Sequence, residues 1–355
     1  MHEDNYFPEA PQHIGDWLSY TTMVANWERS QRVLAKLRER FADDDRFEGV
    51  QTIAIAGSFG RFEGSRSSDA DCIVVLHDDV SSQAEVEQSA LSAITHHLAQ
   101  MKISAPNPEG SFAKPRLRKE LLPEPEHGDM GSPSEATDII SKRMLMLLES
   151  RPVLHDAAYH SCVHAIFDRY AQYASIDTRK EHLYLLNDLV RYFRYICVNY
   201  QANFDRDYES WALRNIKLRH SRIVMYMGLL ALLGEASKYE DDRKVATVEA
   251  ALNLTPLDRI ARVYACNDDE RFGVVANLYE SFLTRVSDQA TRDELNGLEY
   301  KLRYDSELFS SLKRNSDALQ TELVRFILAR QGQCREAARK LYGSAHLFCR
   351  GPLAP

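Results

Sequence analysis

Ile53-Ala-Ile-Ala-Gly-Ser-Phe-Gly-Arg-Phe-Glu-Gly-Ser-Arg-Ser-Ser-Asp-Ala-Asp-Cys-Ile-Val-Val-Leu76 is the stretch that decides how this chain is read. An apolar run ends at Gly57-Ser58, a glycine-rich and partly basic loop follows, and Asp69 and Asp71 flank Ala70 at the head of a second apolar run. The period-two geometry of a strand puts both carboxylates on one face, roughly 6.5–7 Å apart along the chain. Two carboxylates that close repel each other unless a cation lies between them, so the spacing asks for a divalent metal. The loop upstream offers small residues, a hydroxyl and backbone N–H groups to phosphate oxygens. Metal and phosphate together point to nucleotide chemistry.

Working outward, residues 13–42 carry Trp17, Leu18, Val24, Trp27, Val33, Leu34 and Leu37 at roughly helical spacing, and a second helix is expected over 83–101 with Val86, Leu91, Ile94 and Leu98 inward. Six of the twelve prolines fall between 104 and 135, which excludes a continuous helix there and predicts a long loop with an edge strand near Gly110-Ser-Phe. From 136 onward prolines become rare. Helices are expected near 136–150, 157–175, 180–203, 208–234, 239–252, 257–268, 272–287, 290–303, 306–331 and 334–342, with no fixed-period repeat. The fold class is therefore α+β: an N-terminal helical segment (1–44), a small mixed-sheet domain (45–135) and a large all-helical domain (136–355).

The chain has 355 residues, 44% of them hydrophobic, enough for ordinary cores. Its formal net charge of −8 argues against a duplex-DNA partner, because duplex binding is dominated by Lys and Arg on phosphates. The sequence has no apolar run of about 18 residues and no basic, apolar leader, and its six cysteines are scattered without a CxxC pair. These features predict a cytoplasmic protein with reduced thiols, no zinc site and no membrane partner.

Gly57-Ser58, Arg61, Glu63 and Ser68-Asp69-Ala-Asp71 resemble the signature of the nucleotidyltransferase superfamily that includes DNA polymerase beta. Within it, Gly-Ser-Phe-Gly-Arg-Phe-Glu-Gly followed by Ser-Ser-Asp-Ala-Asp is most similar to the bacterial branch that contains the uridylyltransferase of nitrogen-regulatory proteins. Lys142-Arg-Met-Leu-Met-Leu-Leu-Glu-Ser-Arg-Pro152 resembles a further segment of that branch. The resemblance implies a mixed sheet flanked by helices and Mg²⁺ or Mn²⁺ held by Asp69 and Asp71 on a bound nucleoside triphosphate such as ATP or UTP. It also implies that Gly57 and Ser58 cradle the terminal phosphates, that Arg61 contacts phosphate, and that Glu63 braces the loop against a basic neighbour. A third carboxylate is expected in the irregular segment, with Glu109 and Asp129 as candidates. In the helical half, Arg214, Lys217 and Ser221 lie on one stripe with Arg222 beside them, so Lys217 and Arg222 are candidate contacts to the triphosphate. The implied activity is Mg-dependent transfer of NMP to an acceptor hydroxyl, and the branch the chain resembles points to a protein acceptor. Alternatives are an RNA-end transferase and a catalytically silent nucleotide sensor or interaction module.

Overall fold

A computed structural model describes residues 7–105, 114–122, 137–175, 182–206 and 210–330. The chain divides into two compact units, one formed by Met1–Pro11 with Met23–Gln172, the other by Gln12–Thr22 with Tyr173–Pro355.

The first unit is built on a four-stranded mixed sheet in the order β3-β2-β1-β4, with β1 at Val50–Ala56, β2 at Asp71–Leu76, β3 at Arg116–Leu117 and β4 at Arg151–Leu154. β1 pairs antiparallel with both β2 and β4, while β2 and β3 run parallel. Nearly every residue of β1 and β2 is buried. That accounts for their continuous apolar runs: a strand covered on both faces has no solvent side to alternate with. Helices α1 (Thr21–Ala42), α3 (Gln83–Gln100) and α5 (Thr137–Glu149) bury Trp27, Leu34, Leu37 and Phe41, then Ala90, Ile94 and Leu98, then Ile140, Met144 and Leu147. The short turns α2 (Gly57–Gly60) and α4 (Arg118–Leu121) follow β1 and β3.

Three expectations are corrected here. The boundary predicted at 135/136 lies at Gln172/Tyr173, because α5 leads into β4, which completes the sheet. A four-residue strand flanked by long helical patterns has too short a period-two signal to stand out in the sequence. The first helix begins at Thr21 rather than at 13, since Asp16 adopts a left-handed conformation and Trp17–Ser19 forms a separate 3₁₀ turn. Val86 and Leu91 are only half-buried; Ala90, Ala93 and His97 share the inward face instead. The edge strand expected near Gly110 lies outside the described residues.

The second unit is helical, and no strand follows Leu154 among the described residues. Helix α6 (Asp156–Ser175) spans the division, followed by α7 (Leu183–Arg206), α8 (Trp211–Lys217), α9 (Ile223–Ala236), α10 (Asp241–Glu249), α11 (Pro256–Ala265), α12 (Phe272–Ser287), α13 (Gln289–Gly297) and α14 (Glu307–Arg330). Every residue of α9 is buried, which makes it the axis of the bundle. The single helix expected over 208–234 is interrupted by a π-turn at Leu218–Arg222 between α8 and α9. Residues 12–22 are tied to this unit by backbone: Gln12 and His13 N–H donate to the Asp258 carboxylate at 2.9 and 2.7 Å, and Thr22 N–H donates to Glu280 at 2.7 Å. The helix expected at 334–342 lies outside the described residues. No helix among the described residues is long and apolar enough to cross a membrane.

Candidate functional site

β1 ends at Ala56, whose register partner is Asp71 at the head of β2, so the glycine loop leaves the sheet beside the second carboxylate. Gly57 has φ +69°, a conformation that L side chains rarely adopt. A Cβ built on Gly57 would lie 2.5 Å from Asp71 Oδ2, closer than any real contact. The backbone angle favours glycine, and a side chain here would also have to displace the Asp71 carboxylate. The Ser58 side chain is half-buried and takes no hydrogen bond among the described residues, while its carbonyl accepts the Glu63 N–H at 2.7 Å.

Asp69 lies two residues before Asp71, and the expected alternation is present. Ala70 is fully buried, Asp69 is exposed and Asp71 is half-buried. An isolated parallel bridge joins Asp69 to Ser104, and Ala70 N–H donates to the Ser104 carbonyl at 3.2 Å. The backbone is therefore fixed on both sides of Asp69, leaving only its side chain to choose a direction.

The loop is braced from beneath. Arg61 is buried, with Nε donating to Glu63 Oε2 at 2.7 Å and Nη1 to Glu149 Oε2 at 2.5 Å. Arg61, expected to contact phosphate, has its guanidinium paired with two carboxylates inside the protein, which suits a bracing role. The basic neighbour expected for Glu63 is Arg61 itself. Glu149 ends α5, and a Cβ on Gly60 would come within 1.9 Å of the Glu149 carbonyl oxygen, so the loop rests directly on the helix end. Phe62 adopts φ +60°, costly for an aromatic residue, and is held there by stacking on Trp27 at 4.3 Å with the Arg151 guanidinium 5.3 Å from its ring. Ser30 Oγ accepts the Gly64 N–H at 3.0 Å, and Ser68 Oγ accepts the Ser65 N–H at 3.0 Å.

Two cations beside this loop escaped sequence reading. Arg29, half-buried on α1 next to Ser30, has its pKa lowered by burial first and then by repulsion from Arg66 and Arg32. Its Nε is buried without a hydrogen-bond partner. Arg66 is exposed, three residues before Asp69, and neither Arg29 nor Arg66 forms an ion pair among the described residues. Arg66 was visible in the quoted loop. Arg29 was not, because only the fold brings residue 29 to residue 66.

The remaining predicted residues belong to other segments of the chain. Glu109 and Asp129 lie outside the described residues. Lys217 precedes the π-turn of the helical unit and Arg222 ends it, both half-buried, while Ser221 between them is buried and accepts the Tyr279 hydroxyl at 3.3 Å. Lys142, expected only as part of a motif, is fully buried, and burial is the main cause of a pKa lowered to about 8.

No group of three or more His, Cys, Asp or Glu side chains placed to hold a metal occurs among the described residues. Asp69 and Asp71 alone supply hard oxygen donors of the type Mg²⁺ and Mn²⁺ prefer, and the clearance that glycine leaves at position 57 admits the Asp71 carboxylate. Those features fit a divalent cation that takes the rest of its shell from phosphate and water. Comparison with models of known protein families and with curated proteins returns no match to this chain.

Proposed function

We propose that the sheet unit is a nucleotidyltransferase site that binds a nucleoside triphosphate with Mg²⁺ and moves NMP to an acceptor hydroxyl. The observation that carries this reading is the pairing of Gly57 with Asp71. A glycine in the left-handed region stands 2.5 Å, measured from where a Cβ would lie, from a carboxylate at a strand head, with a second carboxylate two residues away. A turn that served only to reverse the chain would have no need to hold backbone against Asp71.

In this reading Asp69 and Asp71 hold the metal, which when bound neutralises phosphate charge and aligns the reacting groups. Ser58 Oγ and the backbone around Gly57 receive the terminal phosphates. Arg61, Glu63 and Glu149 keep that backbone rigid, so the phosphate cradle is preorganised. The resemblance to an enzyme that nucleotidylates a regulatory protein favours a protein side-chain acceptor, and the net charge of −8 disfavours duplex DNA.

Calorimetric titration of ATP and of UTP, with and without Mg²⁺, tests the site on wild type and on Asp69→Ala/Asp71→Ala. Mg-dependent binding to wild type and its loss in the double variant are expected; equal binding in all four conditions rejects the site. Incubation with labelled triphosphates and cell lysate then separates the alternatives. Label removed by protease marks a protein acceptor, and label removed by ribonuclease an RNA end. Mg-dependent binding without pyrophosphate release marks a nucleotide sensor.

A further inference from the structure

Helices α9, α10 and α11 of the helical unit enclose a cavity of about 280 Å³ that the nucleotidyl-transfer reading does not use. Its polar lining is unbalanced. Glu235 is almost fully buried at one side, and its carboxylate is already committed: Lys238 Nζ lies 2.8 Å away, Asn267 Nδ2 donates at 2.8 Å and the Tyr239 hydroxyl stands at 3.5 Å. Lys238 neutralises that carboxylate. Arg243 and Arg262 also line the cavity, and neither forms an ion pair with any described residue. Arg243 lies 4.0 Å over the Tyr239 ring, a contact that holds the guanidinium without discharging it. The other walls include Leu232 and Val263, so the concavity combines two uncompensated guanidinium groups with an aliphatic surface.

We propose that this cavity binds a small organic anion, its carboxylate or phosphate head held by Arg243 and Arg262 and its apolar body against Leu232 and Val263. The guanidinium fork matches both head groups through paired N–H donors, and its low hydration makes Arg the suitable cation for a partly enclosed site. The volume lies at the lower edge of the range for small-molecule pockets, which suits a metabolite. The sheet unit contributes no residue to the lining, so this site and the nucleotide site stand or fall separately.

Cys266 lines the same cavity and is exposed, so the protein carries its own reporter. The full chain is alkylated with iodoacetamide, a neutral reagent, and the Cys266 peptide is quantified by mass spectrometry over time. Probes are succinate, hexanoate, AMP and inorganic phosphate, with sodium chloride at matched ionic strength as control. At ten times its Kd, a bound organic anion should slow Cys266 alkylation about tenfold. Arg262→Lys keeps the charge and loses the fork, and Arg243→Gln removes the second cation. Both should abolish protection, measured against each variant's own unprotected rate, while leaving the circular-dichroism spectrum unchanged. Lack of protection by all three organic anions overturns the proposal. So does equal protection by chloride, protection by inorganic phosphate alone, or protection that survives in both variants.

Discussion

The loop between β1 and β2 and the π-turn between α8 and α9 are both short departures from regular backbone, and they treat polar groups in opposite ways. In the loop, glycine makes room for a carboxylate, the ion pairs are turned inward to brace, and the side chains of Asp69, Ser58 and Arg66 make no hydrogen bond or ion pair among the described residues. In the π-turn, His220 is turned inward and consumed. Nδ1–H donates to the Ile216 carbonyl at 2.8 Å, Nε2 meets the Asn315 side-chain amide at 2.9 Å, and the ring stacks on Phe282 at 4.2 Å. Irregular backbone alone therefore does not mark a site. What separates the two is whether the polar atoms it positions remain available to a ligand.

The largest effect belongs to the brace. Arg61 and Glu149 are both buried, and removing the shared cation strands the Glu149 carboxylate with Glu63 beside it, so Arg61→Ala should lower unfolding free energy by about 3–5 kcal/mol. Urea denaturation measures it. A cost below about 1 kcal/mol would mean that Arg61 is not held by Glu149 and is available to phosphate after all.

Gly57→Ala tests the clearance. The left-handed backbone costs an L residue about 1–2 kcal/mol, a loss that denaturation should record. The new methyl also collides with Asp71 Oδ2, so Mg-dependent nucleotide affinity should fall at least tenfold, whereas Gly273→Ala, where a Cβ meets nothing within 4 Å, should leave affinity unchanged. Gly57→Ala binding nucleotide as wild type does would separate the turn from the site.

The π-turn is probed by pH. Burial is the main cause that lowers the His220 pKa from 6.5 to about 4; Arg219 lowers it further, while the bonds to Ile216 and Asn315 and the Asp317 charge oppose. Below pH 6.5 the unfolded chain binds a proton that the folded chain refuses. Stability is thus full above pH 6.5 and declines by about 1.4 kcal/mol per pH unit as pH falls towards 4. His182 contributes in the same direction, since burial lowers it to about 4 as well. His220→Asn should remove one proton's worth of that slope, read from denaturation between pH 4 and 7. An unchanged slope would show that the folded ring takes up the proton.

How much of this was legible follows from range. Gly57, Ser58, Asp69 and Asp71 lie within fifteen residues, and strand period and loop chemistry are local, so their relation could be read before any fold was known. Arg61 could be identified as a cation of the loop but not as a brace, because its partner Glu149 is 88 residues away. The helices were legible from their period. The π-turn was not, because one extra residue in a turn leaves the apolar spacing on either side almost unaltered, and the reason for it lies at Phe282 and Asn315. Strand β4 was missed because four residues between helical patterns carry almost no periodic signal.

The smallest expected effect concerns Arg29 and Arg66. Both stand beside the loop between β1 and β2 without an ion-pair partner among the described residues, and their mutual repulsion helps depress the Arg29 pKa. An anion between them would relieve that repulsion, so they are expected to contribute to triphosphate binding through charge alone. Arg66 is exposed and screened by salt, so Arg66→Ala should weaken Mg-nucleotide affinity only about threefold at low ionic strength, with the difference fading towards 1 M salt. Arg29→Met should reduce affinity somewhat more, because its Nε is buried and partnerless, and should raise stability slightly by removing a half-buried charge. Titrations at several salt concentrations distinguish this from a structural role: loss of structure would weaken binding equally at every salt concentration, whereas loss of a steering charge shrinks with screening. A salt-independent loss for Arg66→Ala would remove these two residues from the site and leave the loop and its two carboxylates as the whole of it.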